Sequence, residues 1–282
     1  MDIRKILLAV PTYPDRVPEE TLESTFRLAE ILRAAMTAQV FQLDSDQSTW
    51  PAVMGAFPVD FPQMMQELVT RSELNAACSS ASLEMLSREY EVPLDLRRTL
   101  AVLYGAPNGM IDLARLHDLL VLPVPEINSF DRSWTEPAIF QSGRPLMLMP
   151  AEGRHLHAID RVVLAWDYSR EAARALDDAL PILHLAREVQ VVTVFGEKHI
   201  ETTCTSADLD GYFSAHKIRY SLHQLTAGEG NIGDLLMKHA RDVGASMLVM
   251  GGYGHSRARE FLLGGASRGV IRQPTLPVLI SH

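Results

Sequence analysis

Short apolar runs in the first half of this 282-residue chain return in the second half in the same order. The matching pairs are residues 5–10 with 161–166, residues 119–122 with 247–250, and residues 144–148 with 276–280. A repeat of this length predicts two copies of one folding unit that arose by duplication. Whatever fold the chain adopts therefore has to consist of two similar halves.

The offset between the matching runs changes along the chain. It is 156 at the first pair, 128 at the second, and 132 at the prolines of the third. The drop from 156 to 128 gives the first half about 28 extra residues in its middle. The rise from 128 to 132 makes the second half four residues longer in a late segment that contains its glycines.

In the second half, strand-like apolar runs alternate with helix-like segments. Ser169 is placed to cap a helix that extends to about residue 186. A later helix is predicted over residues 232–243, with Gly244 as its C-terminal stop. The apolar run 162–166 is continuous, as expected of a parallel strand that is buried on both faces.

The first half follows the same pattern with a different middle. Its sequence predicts a helix over residues 19–36, a strand over 39–43, and a long helix over about 62–90 that could be broken. Residues 45–60 lack periodicity and contain two X-Pro pairs, so we interpret them as a loop.

Strands that alternate with helices predict a parallel sheet with right-handed crossovers. We therefore predict an α/β fold of two tandem open, doubly wound domains, each with a five-stranded parallel sheet. The predicted boundaries are residues 1–150 for the first domain, 151–158 for a linker, and 159–282 for the second domain.

Composition narrows the function classes. The formal net charge is −9, which argues against a general nucleic-acid binder because such proteins carry a basic field. The two cysteines, Cys78 and Cys204, are too few for a disulfide framework or a thiolate metal site. The N-terminal apolar run stops at Pro11, too short for a signal peptide or a membrane span. We expect a cytoplasmic protein without a membrane partner.

A glycine-rich stretch follows the apolar run 247–250. Gly251 comes directly after that run, Gly254 follows three residues later, and nine residues separate Gly254 from Gly264. Glycines at a strand end allow φ > 0 and let the backbone approach a ligand closely. If a helix begins near Gly264, its free N–H groups point to the same place. These features predict a pocket for an anion, most plausibly a phosphate, opposite Asp167 after the first strand of this half.

In this arrangement, Gly251-x2-Gly254-x9-Gly264 together with Asp167-Tyr168-Ser169 resembles the universal stress protein family, and the whole chain resembles its tandem form. The resemblance implies an adenine nucleotide, ATP or a relative with Mg²⁺ accompanying it, in the second domain. It places the base on Asp167, between Ala165 and Val194. The ribose and phosphates would lie against residues that follow the fourth strand and the later glycine loop, namely Met250, Gly251, Gly254, Gly264, Gly265, Ala266 and Ser267.

The family pattern continues with serine or threonine after the last glycine, but here Gly265 follows Gly264. One phosphate-contacting hydroxyl is therefore absent, while Ser267 matches a second hydroxyl position. A charge-assisted hydrogen bond contributes about 1.5–3 kcal/mol, so its loss corresponds to roughly a ten- to hundredfold weaker affinity.

The first domain departs much further from the family pattern. Pro11 stands where Asp167 has its carboxylate, and Pro123-Val124-Pro125 replaces the glycines. Because proline has no N–H group to offer an anion, we expect no nucleotide there, and a structural or regulatory role instead.

Two functions from different classes remain open at this point. The first is a stress-response protein whose second domain binds an adenine nucleotide and signals to an unidentified protein partner, either as a single chain or as a homodimer. The alternative is an interaction scaffold with a vestigial pocket or a different small ligand. No nucleophile elbow or Walker motif is present, so we predict no catalytic residue and no metal site. Slow ATP hydrolysis would require only a positioned water.

Overall fold

A computed structural model describes residues 2–45, 61–101, 108–124, 131–153, 155–196, 202–228, 231–252 and 274–282. The first half contains β1 (Lys5–Pro11), α1 (Glu19–Leu32), β2 (Ala35–Leu43), α2 (Phe61–Glu89), β3 (Leu94–Ala101), α3 (Asn108–Ala114), β4 (Leu119–Val124), α4 (Asp131–Gln141) and β5 (Leu146–Pro150). The second half contains β6 (Arg161–Ala165), α5 (Arg170–Leu183), β7 (Glu188–Phe195), α6 (Ser206–Ala215), β8 (Tyr220–Thr226), α7 (Ile232–Asp242), β9 (Met247–Gly251) and β10 (Val278–Ser281).

The described strands form one sheet in the order β3-β2-β1-β4-β5-β10-β9-β6-β7-β8. Within each half all neighbouring strands are parallel, which confirms the predicted doubly wound α/β class. The halves meet where β10 pairs antiparallel with β5, with Leu279 opposite Met147. The two predicted five-stranded sheets are thus continuous, which the sequence pattern did not reveal.

The strand registers show the same duplication in the structure. Ile6 pairs with Leu119 between β1 and β4, and Val162 pairs with Met247 between β6 and β9. These partners differ by the offsets of 156 and 128 that the sequence repeat predicts. Matching apolar runs therefore occupy equivalent places in the two half-sheets.

Helices cover both faces of the sheet and bury a separate core on each. One core packs α1, α2, α5 and α6 against the sheet, and Phe26 and Phe213 are fully buried in it. The other core packs α3, α4 and α7 against the opposite face, around Trp134 and Leu236. Each core includes residues of both halves, so the sheet and its helices form one continuous packing unit.

Several predicted boundaries were wrong. The helix predicted to run to residue 36 ends at Leu32, because Arg33 adopts a left-handed conformation with φ of 54° and β2 begins at Ala35. The N–H of Ala34 returns to the carbonyl of Ala29 at 2.9 Å and closes the helix end. Strand pairing with β1 thus outweighs the helix propensity of this alanine-rich segment.

Other predicted features are confirmed. Ser169 caps α5, its hydroxyl accepting from the N–H of Ala172 at 3.1 Å. Gly244, with φ of 68°, follows the end of α7. The long helix of the first half, α2, is continuous over 29 residues. Most of the loop predicted at 45–60 lies outside the described residues.

The long helix α2 accounts for much of the extra length of the first half, and it holds the carboxyl ends of β1 and β2. The Thr12 hydroxyl donates to the carbonyl of Phe41 at 2.7 Å and lies 2.6 Å from the Ser72 hydroxyl on α2. The N–H of Leu43 donates to Ser72, and the Asn75 amide donates to the carbonyl of Thr12. Polar groups at this strand edge are therefore satisfied by α2.

The segment between the halves packs against the first half. Leu156 is buried in the core beside α1, and its N–H donates to the Ser24 hydroxyl at 3.2 Å. Gly153 adopts φ of 110° and lies so close to the Thr275 carbonyl that a Cβ would be 2.4 Å from its oxygen. Among the described helices none is both long and apolar enough to cross a lipid bilayer.

We predict that the two halves unfold together, because both cores and the sheet cross from one half to the other. Trp134 reports on the first half and Trp166 on the second. In two variants that each keep one of these tryptophans, with the others changed to phenylalanine, urea titration followed by fluorescence should give coincident midpoints. Leu279→Ala at the β5–β10 pair should lower both midpoints together, by about 2–5 kcal/mol of unfolding free energy.

The matched control is Leu222→Ala on the edge strand β8, because Leu222 is 46% exposed while Leu279 is fully buried. This control should change the free energy of unfolding by less than about 1 kcal/mol. Separate midpoints for the two reporters would contradict a single packing unit.

One buried histidine links the fold to pH. His117 is 3% exposed, with Nδ1 2.8 Å from the carbonyl oxygen of Leu113 and Nε2 2.9 Å from the Thr37 hydroxyl. Burial lowers the pKa of His117 below the ordinary value of 6.5; the Leu113 carbonyl opposes this shift, and the charges of Lys5 and Arg97 add to it. The folded protein therefore favours the neutral imidazole.

We predict that His117 makes the protein less stable in mild acid. Its folded-state pKa lies below its unfolded-state value, so the unfolded chain binds more protons between the two. The contribution is fully present above about pH 6.5 and is lost as the pH falls towards the lowered value, with a slope of at most about 1.4 kcal/mol per pH unit. Denaturation midpoints between pH 7 and pH 5 should fall less steeply in His117→Gln than in the exposed control His157→Gln. Equal slopes would contradict the assignment.

Candidate functional site

The winding of the second half reverses between β6 and β9. β6 pairs with β7 on one side and with β9 on the other, so helices leave these two strands in opposite directions. Ligands of open α/β sheets bind outside the carboxyl ends of strands at such a point. Asp167 follows β6 and Gly251 ends β9, so the sheet places both predicted residues at this strand reversal.

The turn after β6 is fixed by its own hydrogen bonds. Asp167 accepts the N–H of Ser169 on Oδ1 at 3.0 Å, and Ser169 in turn caps α5. Tyr168 between them has φ of 61°, a left-handed conformation that is uncommon for a residue with a side chain. The Asp167 carboxylate is therefore half-buried and oriented beside the N-terminus of α5.

Gly251 lies against the first turn of the same helix. A Cβ at this position would be 2.6 Å from the backbone carbon of Glu171 and 2.7 Å from the N of Ala172. These are backbone atoms, so only a residue without a side chain allows β9 and α5 to approach this closely. Helix α5 thus links Gly251 to the turn that holds Asp167.

The predicted residues that flank the base form an apolar shelf. Ala165 and Val194 are half-buried at the ends of β6 and β7 and pack on the same core, the one covered by α7. Leu225 of β8, paired with Val194, and Ile232 of α7 continue this surface. Leu225 and Ile232 were not among the residues predicted from the sequence. In the structure, exposure alternates along β8 and Leu225 lies on the inward face.

Two further predicted positions have different surroundings. Met250 is 4% exposed, and its side chain packs in the core rather than at the crevice, so only its backbone is at the strand end. Gly254, Gly264, Gly265, Ala266 and Ser267 lie outside the described residues, so the phosphate end of the site stays a prediction.

The acidic side chain beside Gly251 is paired with an arginine. Glu171, whose side chain is 12% exposed, lies beside Gly251 and pairs with Arg170 at 3.1 Å. An unpaired carboxylate here would repel phosphate oxygens, whereas the pair is neutral and its arginine is largely exposed. This pair was not predicted from the sequence, because acidic residues are common in the first turn of a helix.

The described residues offer few features of a catalytic or metal site. Among them no cluster of three or more histidine, cysteine or acidic side chains could hold a metal ion. Cys78 and Cys204 are both free and exposed. The arrangement is suited to holding a planar group between a carboxylate and an apolar shelf.

The fold defines the class of the protein: a duplicated, doubly wound α/β chain in which Asp167 and Gly251 lie at the strand reversal of the second half. The profile of the universal stress protein family matches residues 158–282 of this chain. The predicted resemblance is therefore confirmed.

Solved structures extend this fold over the whole chain. A universal stress protein from Archaeoglobus fulgidus DSM 4304 is 17% identical with a TM-score of 0.68, covering 98% of this chain and 95% of the other. One from Pseudomonas aeruginosa UCBPP-PA14 is 13% identical with a TM-score of 0.59, covering 99% and 93%. A functionally unknown protein from Pseudomonas aeruginosa PAO1 is 14% identical with a TM-score of 0.57, covering 99% and 92%. A search of curated proteins gives no significant match.

We predict that Gly251→Ala destabilises the protein. The added Cβ would meet the backbone of α5 at 2.6 Å, so strand and helix must separate, at a cost of about 1–3 kcal/mol. The matched control is Gly211→Ala within α6, where nothing lies within 4 Å of the added atom. It should be neutral or stabilising by up to about 1 kcal/mol. Thermal denaturation of both variants measures the difference, and equal stability would contradict the close approach.

Proposed function

We propose that the second half of the chain binds an adenine nucleotide at the crevice between β6 and β9, and that binding has a regulatory rather than a catalytic output. The base lies between Asp167 and the shelf of Ala165 and Val194. The ribose and phosphates continue past Gly251 towards Gly254 and the 264–267 loop.

The observation that carries this proposal is the arrangement around the start of α5. Helix α5 joins a half-buried carboxylate, Asp167, to a strand end, Gly251, that approaches without a side chain. A carboxylate oxygen can accept a hydrogen bond from the exocyclic amine of adenine. The apolar shelf beside it can cover one face of the ring, as small-molecule sites commonly do.

We assign different roles to the predicted parts of the chain, which are residues 1–150, a linker over 151–158, and residues 159–282. We propose that the first part supports and modulates the second through the shared sheet. Nucleotide binding would stabilise one conformation of the whole packing unit and so present it to a protein partner. Magnesium would accompany the phosphates as part of the ligand.

The test is calorimetric titration of the full chain with ATP, ADP and AMP, with and without Mg²⁺. We predict binding with a Kd in the millimolar range or tighter and a thermal stabilisation that rises with ligand concentration. Asp167→Ala should weaken the affinity roughly tenfold or more, because the lost acceptor is charged.

The matched control is Asp177→Ala, which removes the same charge from an exposed position of α5. Each variant's unliganded melting temperature separates a loss of binding from a loss of the Asp167 turn. Failure of all three nucleotides to bind would contradict the proposal and favour the scaffold alternative. Mass spectrometry of small molecules released from the purified chain would then identify any other ligand.

A further inference from the structure

The first half has a cavity at the place that corresponds to the nucleotide crevice. It measures about 320 Å³ and is lined by residues at the ends of β1 and β4, in the turn before α1, and after β5. Pro11 and Pro123, the residues that replace Asp167 and Gly251, both contribute to it. The cavity therefore lies at the strand reversal of the first half, between β1 and β4, where ligands of open α/β sheets bind.

The lining of this cavity is unsuited to phosphate. Four of its residues are prolines, namely Pro11, Pro14, Pro18 and Pro123, and none of them has an N–H to donate. Helix α1 begins beside it without a side-chain cap, but its first turn already carries the carboxylates of Glu19 and Glu20. Two negative charges at a helix N-terminus offset the positive end of the helix dipole.

The charged groups of the cavity point to a cation. Asp15 is paired with Arg71 at 2.5 Å, and Arg16 is directed towards Glu19 at 3.5 Å. Glu152, contributed by the segment after β5, has no hydrogen-bond or ion-pair partner among the described residues. Within the described part of the chain, the cavity thus presents one carboxylate at its rim that no positive charge compensates.

The rest of the lining is apolar or amphipathic. Val17 is 5% exposed, and Tyr13 and the prolines offer flat carbon surfaces beside it. Aromatic rings pack well on such surfaces. In a cavity with few polar groups, those few groups determine which ligand binds. Glu152 belongs to the segment that joins the two halves, so its carboxylate is not part of the repeated strand pattern.

We propose that this cavity is a second ligand site, which binds a small aromatic amine with its ring against the prolines and Tyr13 and its ammonium group on Glu152. The site differs from the nucleotide crevice in position and in the charge of its ligand. It does not depend on the proposed nucleotide binding.

The experiment is calorimetric titration of the full chain with two probes that share an indole ring, tryptamine as the cation and indole-3-propionate as the anion. Tryptamine should bind with a Kd in the millimolar range or tighter, and indole-3-propionate at least about tenfold more weakly. Glu152→Gln should weaken tryptamine binding about tenfold or more, because a charge-assisted contact becomes a neutral one. Glu30→Gln, which removes the same charge from an exposed site on α1, should leave the affinity unchanged.

Two further variants localise the binding. Ala151→Phe should abolish tryptamine binding by filling the cavity, while its N–H keeps the bond to the carbonyl of Val124. Asp167→Ala should leave tryptamine binding intact. The proposal is overturned if tryptamine does not bind, if both probes bind equally, if Glu152→Gln has no effect, or if Asp167→Ala abolishes binding. Glu152 is exposed, so its variant decides the question even if Ala151→Phe does not fold.

Discussion

The antiparallel pairing of β5 with β10 is the contact on which the architecture depends. A parallel half-sheet ending at β5 or β10 would expose an edge of unpaired N–H and C=O groups. Both strands are wholly buried, with Leu148 opposite Val278, so each half covers the edge of the other. Two separate copies would need an interface between molecules to cover these strand edges, whereas the duplicated chain covers them within one molecule.

That shared sheet lets the two strand reversals diverge while the backbone around them stays the same. In the second half a glycine at the end of β9 admits the backbone of α5, and a carboxylate follows β6. In the first half prolines occupy both positions and face a cavity. Since the apolar registers on either side are equivalent, the difference lies in a few residues at the strand ends and not in the fold.

The repeat, the alternation of strands and helices, and the position of Asp167 and Gly251 at a strand reversal could be predicted because each leaves a local pattern in the sequence. The end of α1 could not be predicted, because Arg33 adopts a left-handed conformation that is usually found at glycine. Nor could β3, whose charged residues Arg97 and Arg98 resemble a surface segment until β2 is known to pair with it. The pairing of β5 with β10 depends on two segments more than a hundred residues apart, and no local pattern specifies it.

The extra residues of the first half explain how its strand ends keep their structure without the carboxylate and glycine found at the same positions of the second half. Helix α2 supplies Ser72 and Asn75, which satisfy the carboxyl ends of β1 and β2 that a ligand would otherwise meet. The segment after β5 then covers the remaining space and brings in Glu152. Because protein groups satisfy the polar atoms at this strand edge, no ligand is required there, and the charge of the lining residues can differ from that in the second half. The two proposed sites therefore differ in the charge of the ligand that each would bind, and a single continuous sheet joins the strand ends on which they lie.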